Sequence, residues 1–418
     1  MNTTTRSLHK LLWSALAAVV AIPAAVSSDW PQFRGPSGLG VSNDSGLPVV
    51  WNDHENLVWK SPLPGHGSSS PIAIDGRLYL TCYSGYGTGD SESQLEDLTL
   101  HVVCVDQTNG KILWDQSIPP KLPEEKRIKD HGYSGPTPAT DGTHLYVFFG
   151  KTGVFKFDLA GNQLWQADVG SGTDNWGCGA SPVLFDDLVI INASVESESL
   201  VALNKNDGRE VWRSPGMNRS WSTPHLVRVA NQKSELVVTV EDQVLGFDPA
   251  TGKSLWNCEG IHDYVCPSVV SRDGIAYVIG GRKSRAIAIR TGGRGDVTET
   301  HRLWEAKAGA NVSSPVIVDD HMYWVSDRNK IAYCLRLADG EVLYSERFPG
   351  QPYASALAGD GKVYIVTRND GTFVLAAKPE FEQLAHNVFQ DTSTFNASPI
   401  VSNGQLILRS NRFLYCIQ

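Results

Sequence analysis

Polar and aromatic side chains that could bind a ligand are concentrated in eight short segments of the chain. The segments read PGHGSSSP, KDHGYSGP, DNWGCGASP, NRSWSTP, IHDYVCP, GANVSSP, GQPYASA and TSTFNASP. Such groups, held on loops of a rigid scaffold, are the usual components of a binding site, although any one of them could instead pack beneath its loop. The candidate binding residues are His66, His131, Tyr133, Asp174, Asn175, Trp176, Arg219, Trp221, His262, Asp263, Tyr264, Asn311, Tyr353, Phe395 and Asn396.

Metal binding and covalent catalysis are two further kinds of chemistry that these residue types can perform. His66, His131 and His262 could ligate a metal, but they lie in different segments and the sequence leaves their mutual distances open. Serine, histidine and aspartate are all present, but the G-x-S-x-G turn of many serine hydrolases is missing. We therefore predict neither a metal site nor a catalytic residue.

The eight segments recur at intervals of roughly 45 residues, which indicates an internal repeat. Each unit contains about four short strands and tight turns such as Asp273-Gly274, where glycine tolerates the positive φ of a hairpin. The 3.6-residue period of a helix is not found over any long stretch. Repeats of this kind are typical of propeller blades. The predicted fold is an all-β, eight-bladed β-propeller of four-stranded antiparallel blades, in which the eight segments surround the mouth of the central channel.

A second repeated signal is a glycine-containing turn followed by a large aromatic residue, as in VDQTNGKILW and FDPATGKSLW. A lone four-stranded sheet leaves both faces uncovered, so neighbouring blades must bury each other. An indole buries a large area and its N–H can bond a nearby carbonyl, so we predict that it docks on the next blade. The predicted docking residues are Trp59, Trp114, Trp165, Trp212, Trp256, Trp304 and Tyr344.

The two ends of the repeat are complementary. The last unit stops at RFLYCIQ after three strands and lacks the turn and the tryptophan. The missing piece resembles ENLVWKSPLPG at residues 55–65. We therefore predict that the N-terminal strand completes the eighth blade and closes the ring.

The first residues have the layout of a secretory signal, with basic residues, an uncharged stretch of 16 residues and then small residues. A membrane anchor is the alternative, but the stretch is short for a span. The expected organisation is a signal peptide at 1–28, an N-terminal extension at 29–54 that packs on the propeller, and a single propeller domain at 55–418. Cys82 is the first cysteine, so the lipidation pattern is missing. We expect an exported protein, periplasmic or extracellular, without a lipid anchor.

Composition limits the class of partner. The net charge is −9 and no run of five basic residues occurs, which argues against nucleic-acid binding. No second apolar stretch approaches membrane length, so no membrane span is expected after cleavage. The seven cysteines fit no C-x-x-C pattern, and an odd number leaves at least one thiol unpaired. The expected state is a monomer that binds a protein or peptide partner, with a glycan as the other possibility.

The repeated turns, VDQTNGKILW, FDPATGKSLW and LNKNDGREVW, resemble the tryptophan-docking motif of the pyrroloquinoline-quinone (PQQ)-like repeat family of eight-bladed propellers. The stretch DWPQFRGPSGLGVS is also similar to the start of secreted bacterial members that resemble the outer-membrane assembly propeller BamB. The resemblance implies one of two functions. Some members are periplasmic dehydrogenases that hold PQQ and calcium at the centre of the ring, and others bind no cofactor and act as protein-interaction platforms.

The residues that the resemblance assigns to the dehydrogenases are mostly missing from this sequence. Those enzymes typically place an adjacent Cys-Cys pair against the quinone and use acidic and amide ligands for the metal together with a catalytic aspartate. This chain has no adjacent cysteines, and Asp174-Asn175-Trp176 is the nearest approach to such a cluster. We therefore expect a non-catalytic, BamB-like interaction scaffold without a cofactor. The alternative is a PQQ-dependent quinoprotein oxidoreductase.

Overall fold

The strands of the described chain form eight β-sheets, which are the blades of a propeller. The computed structural model describes residues 28–89, 92–229 and 233–418, so the predicted signal peptide lies almost entirely outside the described residues. Seven sheets have four antiparallel strands, and one has a fifth, two-residue strand that pairs in parallel, Gly295–Asp296. The predicted all-β, eight-bladed propeller is confirmed.

The four strands of each blade run in order from an inner strand at the axis to an outer strand at the rim. Blade 1 consists of Ile72–Ile74, Arg77–Ser84, Thr99–Asp106 and Ile112–Ile118, and blade 2 of Ala139–Thr140, His144–Phe148, Val154–Asp158 and Gln163–Ala167. Blade 3 consists of Val183–Phe185, Leu188–Ala193, Ser199–Asn204 and Glu210–Pro215, and blade 4 of His225–Arg228, Ser234–Val240, Gln243–Phe247 and Ser254–Glu259.

Blades 5 to 8 repeat the same order of strands. Blade 5 consists of Val270–Arg272, Ile275–Gly280, Arg285–Arg290 and Arg302–Ala306, and blade 6 of Val316–Val318, His321–Val325, Ile331–Arg336 and Val342–Arg347. Blade 7 consists of Leu357–Gly359, Lys362–Val366, Thr372–Ala376 and Gln383–Asn387, and blade 8 of Ile400–Ser402, Gln405–Arg409, Phe413–Ile417 and Leu57–Pro62. The helical segments among the described residues are short turns at Leu95–Asp97, Gly150–Thr152, Ser194–Ser197 and Thr298–His301.

The hydrophobic core lies between the blades because alternate residues of a strand face opposite sides of its sheet. In blade 1, Leu78 and Leu80 pack in a cluster with residues of blade 8. Tyr79, which lies between them, packs in a different cluster with Leu145 and Phe155 of blade 2. Each blade therefore contributes to two interfaces, and no blade has a complete core of its own.

Closure of the ring depends on a strand from the other end of the chain. The outer strand of blade 8 is Leu57–Pro62, which pairs antiparallel with Phe413–Ile417. Trp59 lies opposite Cys416 in this ladder and Lys60 opposite Tyr415. The predicted closure by the N-terminal strand is therefore present in the structure.

Four tryptophans dock on the following blade as the repeat predicts. The indole N–H groups of Trp59, Trp114, Trp165 and Trp304 donate to carbonyl oxygens in the next blade's turn at 2.8, 3.2, 3.0 and 2.8 Å. The turn also supplies a glycine under the ring. At Gly340, φ is +73° and an added Cβ would lie 2.5 Å from the Trp304 ring, so no larger residue fits.

The other three docking positions differ in detail. Trp212 covers Gly252 of the next blade, but its indole N–H has no hydrogen-bond partner among the described residues. Tyr344 meets Phe381 of blade 7 edge to face, with 5.5 Å between the ring centroids. Both contacts still cross from one blade to the next.

Trp256 is buried in one cluster with apolar residues of blade 5, but it does not lie on a glycine of the next blade's turn. Its ring crosses Gly246 of its own blade, and its indole N–H donates to the buried carboxylate of Glu235 at 2.7 Å. Glu235 in turn accepts the backbone N–H of Gly292 and pairs with Arg294 at 3.0 Å, both in the turn of blade 5. The seam between blades 4 and 5 therefore combines the apolar cluster with this carboxylate and the added parallel strand, because the longer turn covers the outer strand directly.

Residues 28–56 precede the first strand and pack across the propeller. The backbone of Trp30 exchanges two hydrogen bonds with Ala73 of blade 1, at 2.8 and 2.9 Å. Trp51 is buried beside blade 7, where its backbone N–H donates to Asn387 Oδ1 at 2.9 Å. This segment therefore links blades on both sides of the closing strand.

Candidate functional site

A cavity of about 620 Å³ opens at one end of the central axis. A linker leads from the outer strand of each blade to the inner strand of the next, and all eight linkers contribute to this mouth cavity. Its walls and floor are formed by Phe33, Ser68, Ser70, His131, Gly135, Thr137, Asp174, Trp176, Gly179, Arg219, Trp221, Thr223, Tyr264, Cys266, Ser268, Arg282, Asn311, Val312, Ser314, Tyr353, Ser355, Asn396 and Ser398.

The floor of the mouth cavity belongs to a ring of hydroxyl residues, one from the end of each linker, seven of which line the cavity. The backbone N–H of each member donates to the hydroxyl oxygen of the next, at 2.9–3.1 Å in seven of the eight steps. The eighth hydrogen bond, from the Thr223 backbone N–H to the Ser268 hydroxyl, is not formed, although both residues belong to the described part of the chain. This hydroxyl ring consists of Ser70, Thr137, Ser181, Thr223, Ser268, Ser314, Ser355 and Ser398. Because the position is equivalent in every blade, the ring explains why a hydroxyl residue recurs there in the sequence.

The N-terminal segment lies across the other end of the channel. Phe33 lines both the mouth cavity and a cleft on the opposite side. Arg34 beside it is buried, and its guanidinium donates to the carbonyl oxygens of Gly38 and Leu39 at 3.3 and 2.7 Å and to that of Pro315. Burial lowers the pKa of Arg34 to about 9. The bond to Pro315 ties the segment to the start of blade 6, and the other two bonds brace the segment internally.

One wall of the mouth cavity is aromatic. Trp221 donates its indole N–H to the carbonyl of Gly177 at 2.7 Å and meets Tyr264 edge to face, with centroids 6.0 Å apart. The Tyr264 hydroxyl accepts a hydrogen bond from Asn311 Nδ2 at 2.7 Å. Trp176 is 37% exposed, so its ring is available to a ligand. These bonds hold the aromatic wall in place without occupying the cavity.

Two arginines flank the same wall. The guanidinium carbons of Arg282 and Arg219 lie 5.0 and 5.9 Å from the Tyr264 ring centroid, within cation–π range. Arg282 is held by Asp263 through two bonds of 3.1 Å, and Arg219 by Glu241 at 3.0 Å. The hydrogen bonds from Arg282 outweigh burial and lower the pKa of Asp263. Both arginines keep N–H groups that no described residue accepts.

The facing wall combines an imidazole, a phenol and an amide. His131 Nδ1 lies 3.1 Å from the Tyr353 hydroxyl, and Arg368 lies 5.2 Å above the Tyr353 ring. Arg368 also forms an ion pair with the Asp130 carboxylate at 2.8 Å. The backbone carbonyl of Asp130 accepts a hydrogen bond from Asn396 Nδ2 at 2.7 Å. Burial lowers the pKa of His131 to about 4, so this imidazole is neutral at neutral pH.

Nine of the residues that the sequence proposes for binding line the mouth cavity. They come from seven different linkers, and they surround one space although they are far apart in the chain. They are His131, Asp174, Trp176, Arg219, Trp221, Tyr264, Asn311, Tyr353 and Asn396.

Three other candidates are packed away from the mouth cavity. Tyr133 is buried and its hydroxyl donates to the backbone carbonyl of Glu125 at 2.6 Å. Phe395 is buried beside Tyr415, with 5.4 Å between the ring centroids. His66 lies in a separate pocket near Tyr83, and burial lowers the pKa of His66. These side chains support the linkers rather than line the cavity.

The last three candidates also lie outside the mouth cavity. His262 is exposed and contacts Asp242 at 2.7 Å and Glu259 at 3.2 Å. Asp263 orients Arg282 through the two bonds at the aromatic wall. Asn175 is exposed, and its backbone carbonyl accepts a hydrogen bond from the backbone N–H of Lys129. The three histidines named in the sequence therefore do not converge.

Some cavity residues were not anticipated from the sequence. Phe33 comes from the N-terminal segment and Arg282 from the turn between two strands of blade 5, so neither lies in a linker. Cys266 and Val312 do lie in linkers but are apolar residue types. Burial raises the pKa of the Cys266 thiol, which keeps it protonated and a poor nucleophile.

Ser84, His101 and Asp115 form a hydrogen-bonded chain in blade 1 that the sequence did not reveal. Ser84 Oγ lies 2.8 Å from His101 Nε2, and His101 Nδ1 lies 2.9 Å from Asp115 Oδ1. The same residue types activate the nucleophile of serine hydrolases. In this blade they occupy three neighbouring strands, and the imidazole is buried. We therefore assign these bonds to bracing the sheet.

Comparison with known proteins identifies the family. The family model described as outer membrane protein assembly factor BamB matches residues 11–171 and, in an overlapping second match, residues 98–346. The chain belongs to this family. The BamB family is the PQQ-like repeat family that the sequence resembles. None of the curated proteins matches the sequence.

Solved structures share the fold of this BamB-family chain at low sequence identity. BamB from Moraxella catarrhalis is 12% identical, with a TM-score of 0.59 over 87% of this chain and 99% of that one. A quinohemoprotein alcohol dehydrogenase from Comamonas testosteroni is 13% identical, with a TM-score of 0.57 over 93% and 80%. The computationally designed Ika8 protein is 11% identical, with a TM-score of 0.55 over 87% and 100%. The fold is thus common to proteins of different function.

The residues of the mouth cavity do not fit the calcium and quinone site that the dehydrogenase resemblance implies. Asp174 is the single carboxylate in the cavity lining, and its Oδ1 accepts the backbone N–H of Trp176. Cys266 is the single cysteine there and is not paired. In the described ranges, no group of three His, Cys, Asp or Glu residues is arranged to hold a metal. Nor is any helix of those ranges long and apolar enough to cross a membrane.

Proposed function

We propose that this protein is an exported, non-catalytic binding protein that holds a segment of its partner, a peptide or a glycan, in the mouth cavity. The observation that carries the proposal is the convergence of all eight linkers, each with different side chains, on one space of about 620 Å³. Ligand sites of roughly 300–1,000 Å³ are usual in proteins. Cell-envelope assembly of the BamB type is the role that family membership favours.

Unsatisfied polar atoms support a ligand at this position. Asn311 Oδ1 and Asn396 Oδ1 are buried and have no hydrogen-bond partner among the described residues. An unpaired buried polar atom costs about 1–3 kcal/mol. Both amides line the mouth cavity, so a ligand that donates to them would recover that free energy on binding.

Export is supported by the layout of the first residues, which lie outside the described part of the chain. Their basic, apolar and small-residue order is that of a secretory signal. The free cysteines are mostly buried, so export would leave them protected from oxidation.

Substituting the exposed aromatic wall tests the proposed binding face. Immobilised protein would be compared with Trp176→Ala/Trp221→Ala for capture of material from the exported protein and glycan fraction of the source cells. We expect the double variant to capture at least tenfold less. Val342→Ala, which removes an exposed side chain from the outer strand of blade 6, is the matched control and should capture normally. Equal capture by the double variant would mean that the mouth cavity is not the contact surface.

The quinoprotein alternative is tested separately. PQQ and calcium would be added to the purified protein while absorbance and melting temperature are recorded. We expect no stoichiometric quinone and no rise in melting temperature, because the cavity lacks the expected ligands. Tight binding of one quinone per chain would overturn the non-catalytic proposal.

A further inference from the structure

The mouth cavity has an unusual lining for a site that binds peptide side chains. Val312 is the single aliphatic residue among the residues that line it. Protein interfaces are usually anchored by large apolar or aromatic side chains that fill desolvated pockets. A cavity whose apolar residues are mostly aromatic suits flat rings better than leucine, isoleucine or valine anchors. The lining favours a ligand that is polar around its edges.

Donors and acceptors are both available to such a ligand. Each hydroxyl of the ring that accepts a backbone N–H still has its own O–H to donate. No described residue accepts a hydrogen bond from these O–H groups. Asn311 Oδ1 and Asn396 Oδ1 also lack donors from the described residues. A sugar carries several hydroxyl groups, each both a donor and an acceptor, so it can satisfy both sets.

The aromatic wall complements the remaining part of a sugar. A pyranose ring has C–H groups on its faces and hydroxyls at its edge, so its face packs well on an aromatic ring. Trp176 is 37% exposed, and Lys129 lies 4.8 Å from its ring centroid on one side. Trp221 stands beside it in the lining, fixed by its bond to Gly177. The two indoles provide apolar surface next to polar groups, as sugar recognition requires.

The arginine N–H groups on the wall of the cavity point to an acidic sugar. Arg219 and Arg282 line the wall, whereas Asp174 is the single carboxylate among the lining residues. Each arginine is also paired with a carboxylate outside the lining, Arg219 with Glu241 and Arg282 with Asp263, so the pair offers directed N–H donors and not a net positive charge. The arginines retain free N–H groups beside Tyr264, and guanidinium groups bind carboxylates in well-defined geometry.

We propose that the mouth cavity binds an oligosaccharide that carries carboxylate groups, with a sugar ring on Trp176 and Trp221 and a carboxylate at Arg219 and Arg282. This inference rests on the proposed binding function and names its ligand class. Hydroxyl groups of the same oligosaccharide donate to Asn311 and Asn396, and its deepest ring lies above the hydroxyl ring.

Calorimetric titration with a galacturonic acid trimer tests the proposal. The matched ligand is the same trimer with its carboxyl groups methyl-esterified, which keeps the rings and removes the charge. We expect the acid to bind at least tenfold more tightly than the ester, with an affinity that falls as salt rises from about 50 to about 500 mM. Equal affinities for the two trimers, or no binding of the acid, would overturn the proposal.

Variants assign the charge preference to the two arginines. Arg219→Gln/Arg282→Gln should bring the affinity for the acid to within about threefold of the affinity for the ester and leave the ester unchanged. Arg347→Gln, at an exposed position on the outer strand of blade 6, is the control and should bind as the unmodified protein does. An undiminished preference in the double variant would contradict the assigned contact.

The outcomes separate this inference from the proposed function. If a tetraglutamate peptide binds at the mouth and the sugar acid does not, the ligand class is wrong and the binding function stands. If neither probe binds but capture still depends on Trp176 and Trp221, the sugar proposal fails alone. If capture is also independent of these tryptophans, the proposed function itself fails.

Discussion

Trp304 and Trp176 show how differently the seams between blades and the mouth cavity use the same side chain. At the seam, the Trp304 ring covers Gly340 and its N–H donates to Leu337 at 2.8 Å. At the mouth, Trp176 is 37% exposed and its ring meets a single cation. The seam residue is satisfied by the protein itself, whereas the mouth residue keeps surface free for a ligand.

The same contrast holds for polar groups. At the hydroxyl ring, one residue type performs the same backbone contact in blade after blade, which is what a scaffold needs. On the walls above it, Asn311 and Asn396 each occur once and keep an unpaired oxygen. Features that repeat in every unit therefore stabilise the ring, whereas the proposed recognition depends on residues that occur once.

The largest expected effect is on closure of the ring. A chain that begins at residue 63 lacks the outer strand Leu57–Pro62 and the buried Trp30 and Trp51. We expect it to lose cooperative unfolding, because the third strand of blade 8 is left with an open edge and the adjoining core is exposed. Circular dichroism on heating would be compared with a chain that begins at residue 28. A cooperative transition at an unchanged temperature would show that the closing strand is dispensable.

Alanine substitution of the two tryptophans should separate stability from binding. Trp304→Ala should lower the free energy of unfolding by about 3 kcal/mol, because a large docked ring and its hydrogen bond are lost. Trp176→Ala should change it by less than about 0.5 kcal/mol, as is usual for exposed sites. Denaturant unfolding measures both values. Similar losses in the two variants would contradict the division between seam and mouth.

A buried carboxyl beneath the linkers should make stability, but not binding, depend on pH. Glu196 is 5% exposed, and burial raises its pKa from 4.5 to about 8. The folded state then holds a proton that the unfolded state releases, so stability falls as pH rises from about 5 through 8. Melting temperature should fall over this range and fall less in Glu196→Gln. An equal fall in melting temperature in both proteins would show that other titrating groups cause the pH dependence.

The smallest expected effect concerns the bonds that brace blade 1. Ser84→Ala should lower the free energy of unfolding by about 1 kcal/mol through loss of its bond to His101. Capture at the mouth should be unchanged, because Ser84 lies outside that cavity. Covalent labelling of Ser84 by a serine-reactive fluorophosphonate would instead indicate a nucleophile.

Much of the scaffold could be predicted from the sequence because it repeats. The eight recurring segments before the inner strands indicated the number of blades, and the strand around Trp59 indicated how the ring closes. Trp256 reaches the interface with blade 5, but Glu235 and a longer turn, neither part of the repeat, change the contacts of its indole. A single departure of this kind gives no signal in a pattern defined by the other units.

The mouth cavity could be predicted only in part, since the repeat places the linkers but does not orient their side chains. Tyr133 and Phe395 turn inward because buried aromatic neighbours receive them. Arg282 reaches the cavity from a turn, where Asp263 holds it, and Phe33 arrives from the N-terminal segment. These positions depend on contacts between distant parts of the chain, which no local pattern encodes.

We propose that ligands enter at the mouth and not at the opposite end of the axis. Photocrosslinking with p-benzoylphenylalanine at position 176 or at position 273, an exposed aspartate in the opposite cleft, tests it directly. We expect ligand adducts at position 176 and none at position 273. Adducts at position 273 with none at position 176 would contradict it.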